Sequence, residues 1–96
     1  MFDLPELTSA DRREYRKFRG YLLKNGFLML QESVYCRMAL NKTVSDQIIA
    51  KLKKQKPSKG LVMVLTITEK QFQNMEIITG DFVTDVIDTD ERLIIL

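Results

Sequence analysis

The chain contains no histidine, and its only cysteine is Cys36. Without histidine there is no Ser-His-Asp triad, no imidazole proton relay and no His-containing zinc site. A lone thiol forms neither an internal disulfide nor a Cys-x-x-Cys centre. The four glycines (Gly20, Gly26, Gly60, Gly80) are scattered, so there is no glycine-rich phosphate loop. No apolar run approaches the roughly 20 residues that span a bilayer, and no N-terminal signal pattern is present. The chain therefore reads as cytoplasmic, with no membrane partner. Any catalysis has to rest on carboxylates, hydroxyls, lysine or arginine, with a borrowed metal.

What is present is an ordinary globular composition. The chain has 96 residues, 45% hydrophobic and 29% charged, which fits one domain over residues 1–96 and is too apolar for a disordered chain. A domain of this size buries only about 60–65% of the surface its unfolded chain exposes, so a homodimer that adds shared core would help it. The net charge of +2 hides a split. Residues 1–60 carry 13 Lys/Arg and 6 Asp/Glu, a balance of +7, while residues 61–96 carry 2 and 7, a balance of −5. Such asymmetry suits a basic face for a polyanion and an acidic region placed elsewhere, although charge runs are also common on merely solvated faces.

Met1 to Pro5 reads as the tail of a strand entering a proline-marked turn. Thr8 or Ser9 caps a helix that runs to about Asn25 and stops at Gly26. Phe27 to Leu40 alternates, with Gln31, Ser33, Tyr35 and Arg37 on one side and Leu30, Val34, Cys36 and Met38 on the other. It is too long for one strand, so two strands joined near Glu32-Ser33 are expected. A second helix starts near Thr43 or Ser45 and ends at the turn cluster Lys56-Pro57-Ser58-Lys59-Gly60. Leu61–Thr68, apolar on both sides, reads as a central strand. A helical turn over 69–76 follows, then short strand candidates at Ile77–Thr79, Phe82–Val83 and Leu93–Leu96. The order is the ferredoxin-like βαββαβ arrangement of the α+β class: an antiparallel sheet with two helices on one face. The other face is left bare, and the C-terminal strands are left over to complete a homodimer.

The first helix carries Arg12, Arg13, Arg16, Lys17, Arg19 and Lys24 within one arc of about 160°, and the acids Asp11 and Glu14 fall outside it. A solvated surface helix normally interleaves Glu with Lys. Stacked like charges cost stability unless a polyanion neutralises them, and four of the six are arginines, suited to bidentate phosphate contact. The arc points to duplex backbone binding without base readout. Lys51 and Lys54 on the second helix could extend it, and Arg37 supports the phosphate face or a salt bridge.

Three segments resemble the small CRISPR-associated adaptation protein (the Cas two family) that accompanies the CRISPR integrase. They are Phe2-Asp3-Leu4-Pro5, Tyr15-Arg16-Lys17-Phe18-Arg19, and Gly26 to Tyr35 with its Gly-aromatic and Gln-x-Ser-Val-aromatic pattern; Leu65 to Met75 is most like type II members. The resemblance implies a ferredoxin-like homodimer between integrase dimers that holds a double-stranded DNA prespacer during spacer acquisition. It also implies a rival activity, a Mg²⁺-dependent endonuclease on RNA or DNA in which Asp3 is metal ligand and catalytic residue, or a toxin-like ribonuclease of the same fold. Family members carry several apolar residues ahead of this Asp, whereas only Met1 and Phe2 precede it here. The first strand is therefore expected to be truncated, and a sheet lacking most of a central strand would expose backbone groups.

Two readings of Asp3 stand side by side: a turn residue before Leu4-Pro5, or a carboxylate that with substrate phosphates holds Mg²⁺. A two-fold dimer would bring two copies together. Ser33 and Tyr35 have no neighbouring base and are not read as nucleophiles, and Cys36 reads as core. Asp81, Asp85, Asp88, Asp90 and Glu91 do not match a calcium loop; they read as an acidic region able to dock on a basic partner such as the integrase.

Overall fold

The computed structural model describes residues 1–80 and 92–96. The elements run β1 (Phe2–Asp3), α1 (Ser9–Lys24), β2 (Leu28–Gln31), β3 (Val34–Ala39), α2 (Lys42–Lys54), β4 (Leu61–Val62), β5 (Leu65–Thr68), α3 (Glu69–Gln73) and β6 (Arg92–Ile95). The α+β class and the antiparallel sheet with its helices agree with the sequence reading. The expected strand at Ile77–Thr79 is absent. The candidate at Phe82–Val83 and the acids Asp81 to Glu91 lie outside the described residues.

Local chemistry sets the helix ends. Thr8 caps α1 in a reciprocal box: its hydroxyl accepts from the Asp11 N–H at 3.0 Å, and Asp11 accepts from the Thr8 N–H at 3.2 Å. At the other end the Phe27 N–H reaches Leu22 O at 3.0 Å and the Gly26 N–H reaches Leu23 O at 3.4 Å. This is a Schellman close, with Gly26 at φ 85°, where a side chain would be strained. Asn41, not Thr43 or Ser45, caps α2, accepting from the Val44 N–H at 2.9 Å. The β2–β3 connection bends at Ser33, with φ 63°, and β2 is bulged between Met29 and Gln31.

The sheet order is β2-β3-β6-β5, with β1 paired to β4, and every pairing is antiparallel. Along the segment 61–68 the partners are Asp3 opposite Leu61 and Phe2 opposite Val62, then Ile95 opposite Leu65 through to Arg92 opposite Thr68. Met63 N–H donates to Met1 O at 2.8 Å and the Met1 amino group returns a bond to Met63 O at 3.0 Å. On the other flank Leu96 exchanges two bonds with Tyr35, at 2.7 and 2.8 Å, and the Phe2 N–H reaches Ser33 O at 3.1 Å. β6 and β1 therefore lie end to end in one strand position between β3 and β4/β5. The backbone groups that a two-residue first strand would leave bare are met by β6, so the C-terminal strand is internal to this sheet rather than left over at its edge.

A second difference concerns Leu61–Thr68. It is not central: it is interrupted at Met63-Val64 and, among the described residues, occupies the sheet edge, with Leu61, Met63, Val64 and Leu65 exposed. Its apolar character on both sides reflects two different neighbours. Val62 packs on the helix-side core, while Leu61, Met63 and Leu65 point to the opposite face.

Phe2 is the hub of the helix-side core. Its ring meets Tyr15 at 6.0 Å, Phe18 at 5.3 Å and Tyr35 at 5.7 Å between centroids. Around it Leu22, Phe27, Leu52, Ile94 and Leu96 are buried. Cys36 is also buried, as expected, but on the face of β3 opposite Tyr35 and outside this core cluster, and burial pushes its thiol pKa upward.

Gly60 closes the turn after α2 against β1. It has φ 90°, and a Cβ there would lie 2.5 Å from the carbonyl oxygen of Asp3 and 2.8 Å from Leu4 Cδ2.

Two outcomes follow from this packing. Phe2→Ala should cost about 3–5 kcal/mol, a large share of the roughly 5–15 kcal/mol that small domains possess. Urea unfolding should show the midpoint collapse, and an unchanged midpoint would contradict the hub. Gly60→Ala should destabilise the fold and move the Asp3 amide resonance, because backbone rather than a flexible side chain blocks the new methyl. An unmoved Asp3 resonance would show that this contact does not hold β1.

Candidate nucleic-acid interface and carboxylate site

The six basic residues of α1 are all exposed, and Phe18 and Leu22 anchor the opposite face of the helix in the core. Both acids of the helix are occupied elsewhere. Asp11 belongs to the N-terminal cap. Glu14 accepts from Ser58, from the hydroxyl at 2.9 and 3.0 Å and from the N–H at 3.3 Å, which ties α1 to the turn after α2. Among the described residues the one ion pair is the exposed Lys42–Asp46 contact at 3.5 Å on α2. Among the described residues, therefore, no carboxylate pairs with the arc.

The structure divides the six by their contacts. Arg12 Nη1 turns back to the carbonyls of Glu6 and Leu7 at 3.3 and 3.5 Å, bracing the approach to the helix. Arg19 Nε donates to the Tyr35 hydroxyl at 3.1 Å, linking the helix to β3. Arg13, Arg16, Lys17 and Lys24 make no hydrogen bond or ion pair within the described residues, so their donors face solvent. Lys17 also lines a small cavity of about 110 Å³ with Lys54 and Lys56, which carries the positive surface across to the end of α2. Lys51 and Arg37 are not in that cavity. They line a different recess, nearer the C-terminal end of α1, and Arg37 has no salt bridge among the described residues.

Asp3 lies on the other side of the sheet. Phe2 points into the helix-side core, so by strand alternation Asp3 points away from it, in the same direction as its partner Leu61. Its carboxylate is exposed and has no hydrogen-bond or ion-pair partner among the described residues. The same face carries Leu28, Met63 and Leu65, all exposed. Among the described residues no three His, Cys, Asp or Glu side chains gather into a metal-binding group. Asp3 thus contributes one carboxylate, the least with which Mg²⁺ is held, and the other ligands would have to be water, substrate phosphates or a second copy of the chain.

The residue that sequence reasoning missed at this site is Gly60, which appeared only as part of a turn cluster. Its glycine identity is required by the contact on the Asp3 carbonyl, which brings together residues 57 positions apart. A turn glycine followed by a strand is the only local signal, and it does not name its neighbour.

No helix among the described residues is long and apolar enough to cross a membrane. The chain matches the family model described as CRISPR associated protein Cas2 over residues 1–75. A Treponema denticola protein named CRISPR-associated endoribonuclease Cas2 is 52% identical over 95 residues, covering 99% of this chain and 94% of that relative. Proteins of the same name from Streptococcus mutans and Ligilactobacillus salivarius are 45% and 44% identical over 96 residues, covering 90% and 95% of their own lengths. With its basic helix, its strand-ending Asp3 and a match that spans most of its length, the chain belongs to the CRISPR-associated Cas2 family.

Proposed function

We propose that the protein is a DNA-binding scaffold of CRISPR spacer acquisition, acting in the cytoplasm as a homodimer that holds a duplex prespacer for the integrase. The observation that carries this reading is the arc on α1: six exposed cations with both helix acids engaged elsewhere. Exposed like charges without counter-charges repel one another, and a phosphate backbone relieves that repulsion while releasing its own counterions. The homodimer would form through the exposed apolar residues of the sheet face, Leu28, Leu61, Met63 and Leu65, since several large apolar side chains exposed on one face suit an interaction site. That pairing would set two Asp3 carboxylates on the shared face and leave both α1 helices outward.

A second reading has its own support. Asp3 is exposed and unpartnered, and the relatives are named endoribonucleases. In this reading Asp3 would hold Mg²⁺, which when bound supplies an activated water and charge neutralisation for phosphodiester hydrolysis. Gly60 and the core position of Phe2 would fix where that carboxylate sits.

Two measurements separate the readings. Duplex affinity should fall steeply with salt, with about −3 to −4 of the log–log slope per protomer coming from the four α1 cations that make no hydrogen bond or ion pair among the described residues. Arg16→Glu with Lys17→Glu should nearly abolish binding, and affinity indifferent to both salt and these changes would overturn the scaffold reading. In an in vitro spacer-integration assay with the cognate integrase, Asp3→Asn should act like the unmodified protein. Loss of integration by a folded, dimeric Asp3→Asn protein would instead assign the working role to the carboxylate.

A further inference from the structure

α1 and α2 do not close completely over the sheet. Near the C-terminal end of α1 they leave a recess of about 200 Å³, lined by Tyr21 and Asn25 from α1, Gln47 and Lys51 from α2, and Arg37 from β3. Arg37 shares its face of the sheet with Tyr35, so it points toward the helices, and its cross-strand partner Ile94 is fully buried. Arg37 is half-buried as a residue and lines the recess beside Phe27 and Ile48, and its guanidinium makes no hydrogen bond or ion pair among the described residues. Its donors are therefore open to the recess, where an anion can accept from them.

The backbone also leaves Arg37 open. A Cβ on Gly26 would lie 3.8 Å from Arg37 Nε, in contact with the guanidinium. The glycine that the Schellman close requires therefore also exposes the edge of Arg37. The carbonyls at that end of α1 are occupied by the Asn25, Gly26 and Phe27 N–H groups and by Asn25 Nδ2, which bonds Tyr21 O at 2.8 Å. Little acceptor charge from the helix end is left to repel an anion.

We infer that this recess is a phosphate-binding pocket: Arg37 on its floor and Lys51 on its rim take one phosphate of the nucleic-acid backbone, with Asn25, Gln47 and the Tyr21 hydroxyl as polar walls. Arg37 suits a bidentate grip on two phosphate oxygens, and Lys51 adds a movable point charge. The pocket adjoins the arc on α1, since Tyr21 lines both this recess and the Lys17–Lys54–Lys56 cavity. A strand crossing the arc could thus drop one phosphate between the helices. Surface cations attract the duplex without fixing its position, whereas a recess that presents two cations to one phosphate sets its register.

The inference rests on the polyanion reading of α1 but stands or falls by different residues. Arg37→Gln and, separately, Lys51→Gln should each lower duplex affinity about three- to tenfold, equally for all sequences, and reduce the log–log salt slope by about one. Inorganic phosphate at millimolar concentration should shift the Arg37 Nε–H resonance, and the duplex should displace it. Lys51 is exposed on α2, so its variant keeps the test valid if Arg37→Gln fails to fold. Unchanged affinity and slope in Lys51→Gln and in a folded Arg37→Gln, with Arg16→Glu/Lys17→Glu still crippled, would overturn the pocket and leave the helix reading intact. A resonance that answers to inorganic phosphate but not to the duplex would make it a free-anion site and also overturn the inference. Weakened pocket variants beside an unaffected α1 variant would instead overturn the helix reading and keep the pocket.

Discussion

One strand position in the middle of the sheet, shared end to end by β6 and β1, is the constraint on which the rest of this protein depends. The three residues at the start of the chain provide the Phe2 ring and the Asp3 carboxylate, but they hold only the lower part of the position. β6 fills the remainder, where Ile94 and Leu96 become core residues and the β3 and β5 ladders are closed. Without that closure the helix-side core would lack its centre, since Phe2, Tyr35 and Leu96 meet there and α1 rests on Phe2 through Tyr15 and Phe18. The direction in which α1 presents its charges follows from this packing: Phe18 and Leu22 must point down, so the arginines point out.

The two faces that result differ in chemistry. The helix side is a polar, positively charged surface over a closed core, with a recess at Arg37 where the two helices part. The sheet side presents exposed Leu28, Leu61, Met63 and Leu65, together with the Asp3 carboxylate. Placing the carboxylate away from the cations keeps it from pairing with the arginines, a pairing that would neutralise both. It also means that a phosphate backbone on α1 and a cation on Asp3 would be bound on opposite sides of the sheet, so that the two proposed roles would be separable by mutation.

Much of this was legible in the sequence where the signals are local. The Thr8 cap, the Gly26 stop, the arc of six cations and the bend at Ser33 follow from side-chain chemistry within a few residues. The burial of Cys36 follows from alternation. What was not legible depends on contacts between distant segments. Leu61–Thr68 has the composition of a central strand, but composition cannot tell a strand covered on both edges from one whose two faces meet different surroundings. The place of β6 beside β1 depends on pairing between opposite ends of the chain. Gly60 matters because of Asp3, and Arg37 because of the gap between α1 and α2; neither neighbour is encoded nearby. The alternation of β3 grouped Arg37 with Tyr35 correctly, but it could not show that this side is the covered one.

The most direct test of the account is amide chemical-shift mapping of the whole chain during titration with a short DNA duplex. The account predicts changes along α1 from Arg12 to Lys24 and at Arg37 and Lys51, with Asp3 and Leu61 to Leu65 unmoved. Changes confined to Asp3 and the Leu61–Leu65 face, with α1 silent, would contradict it.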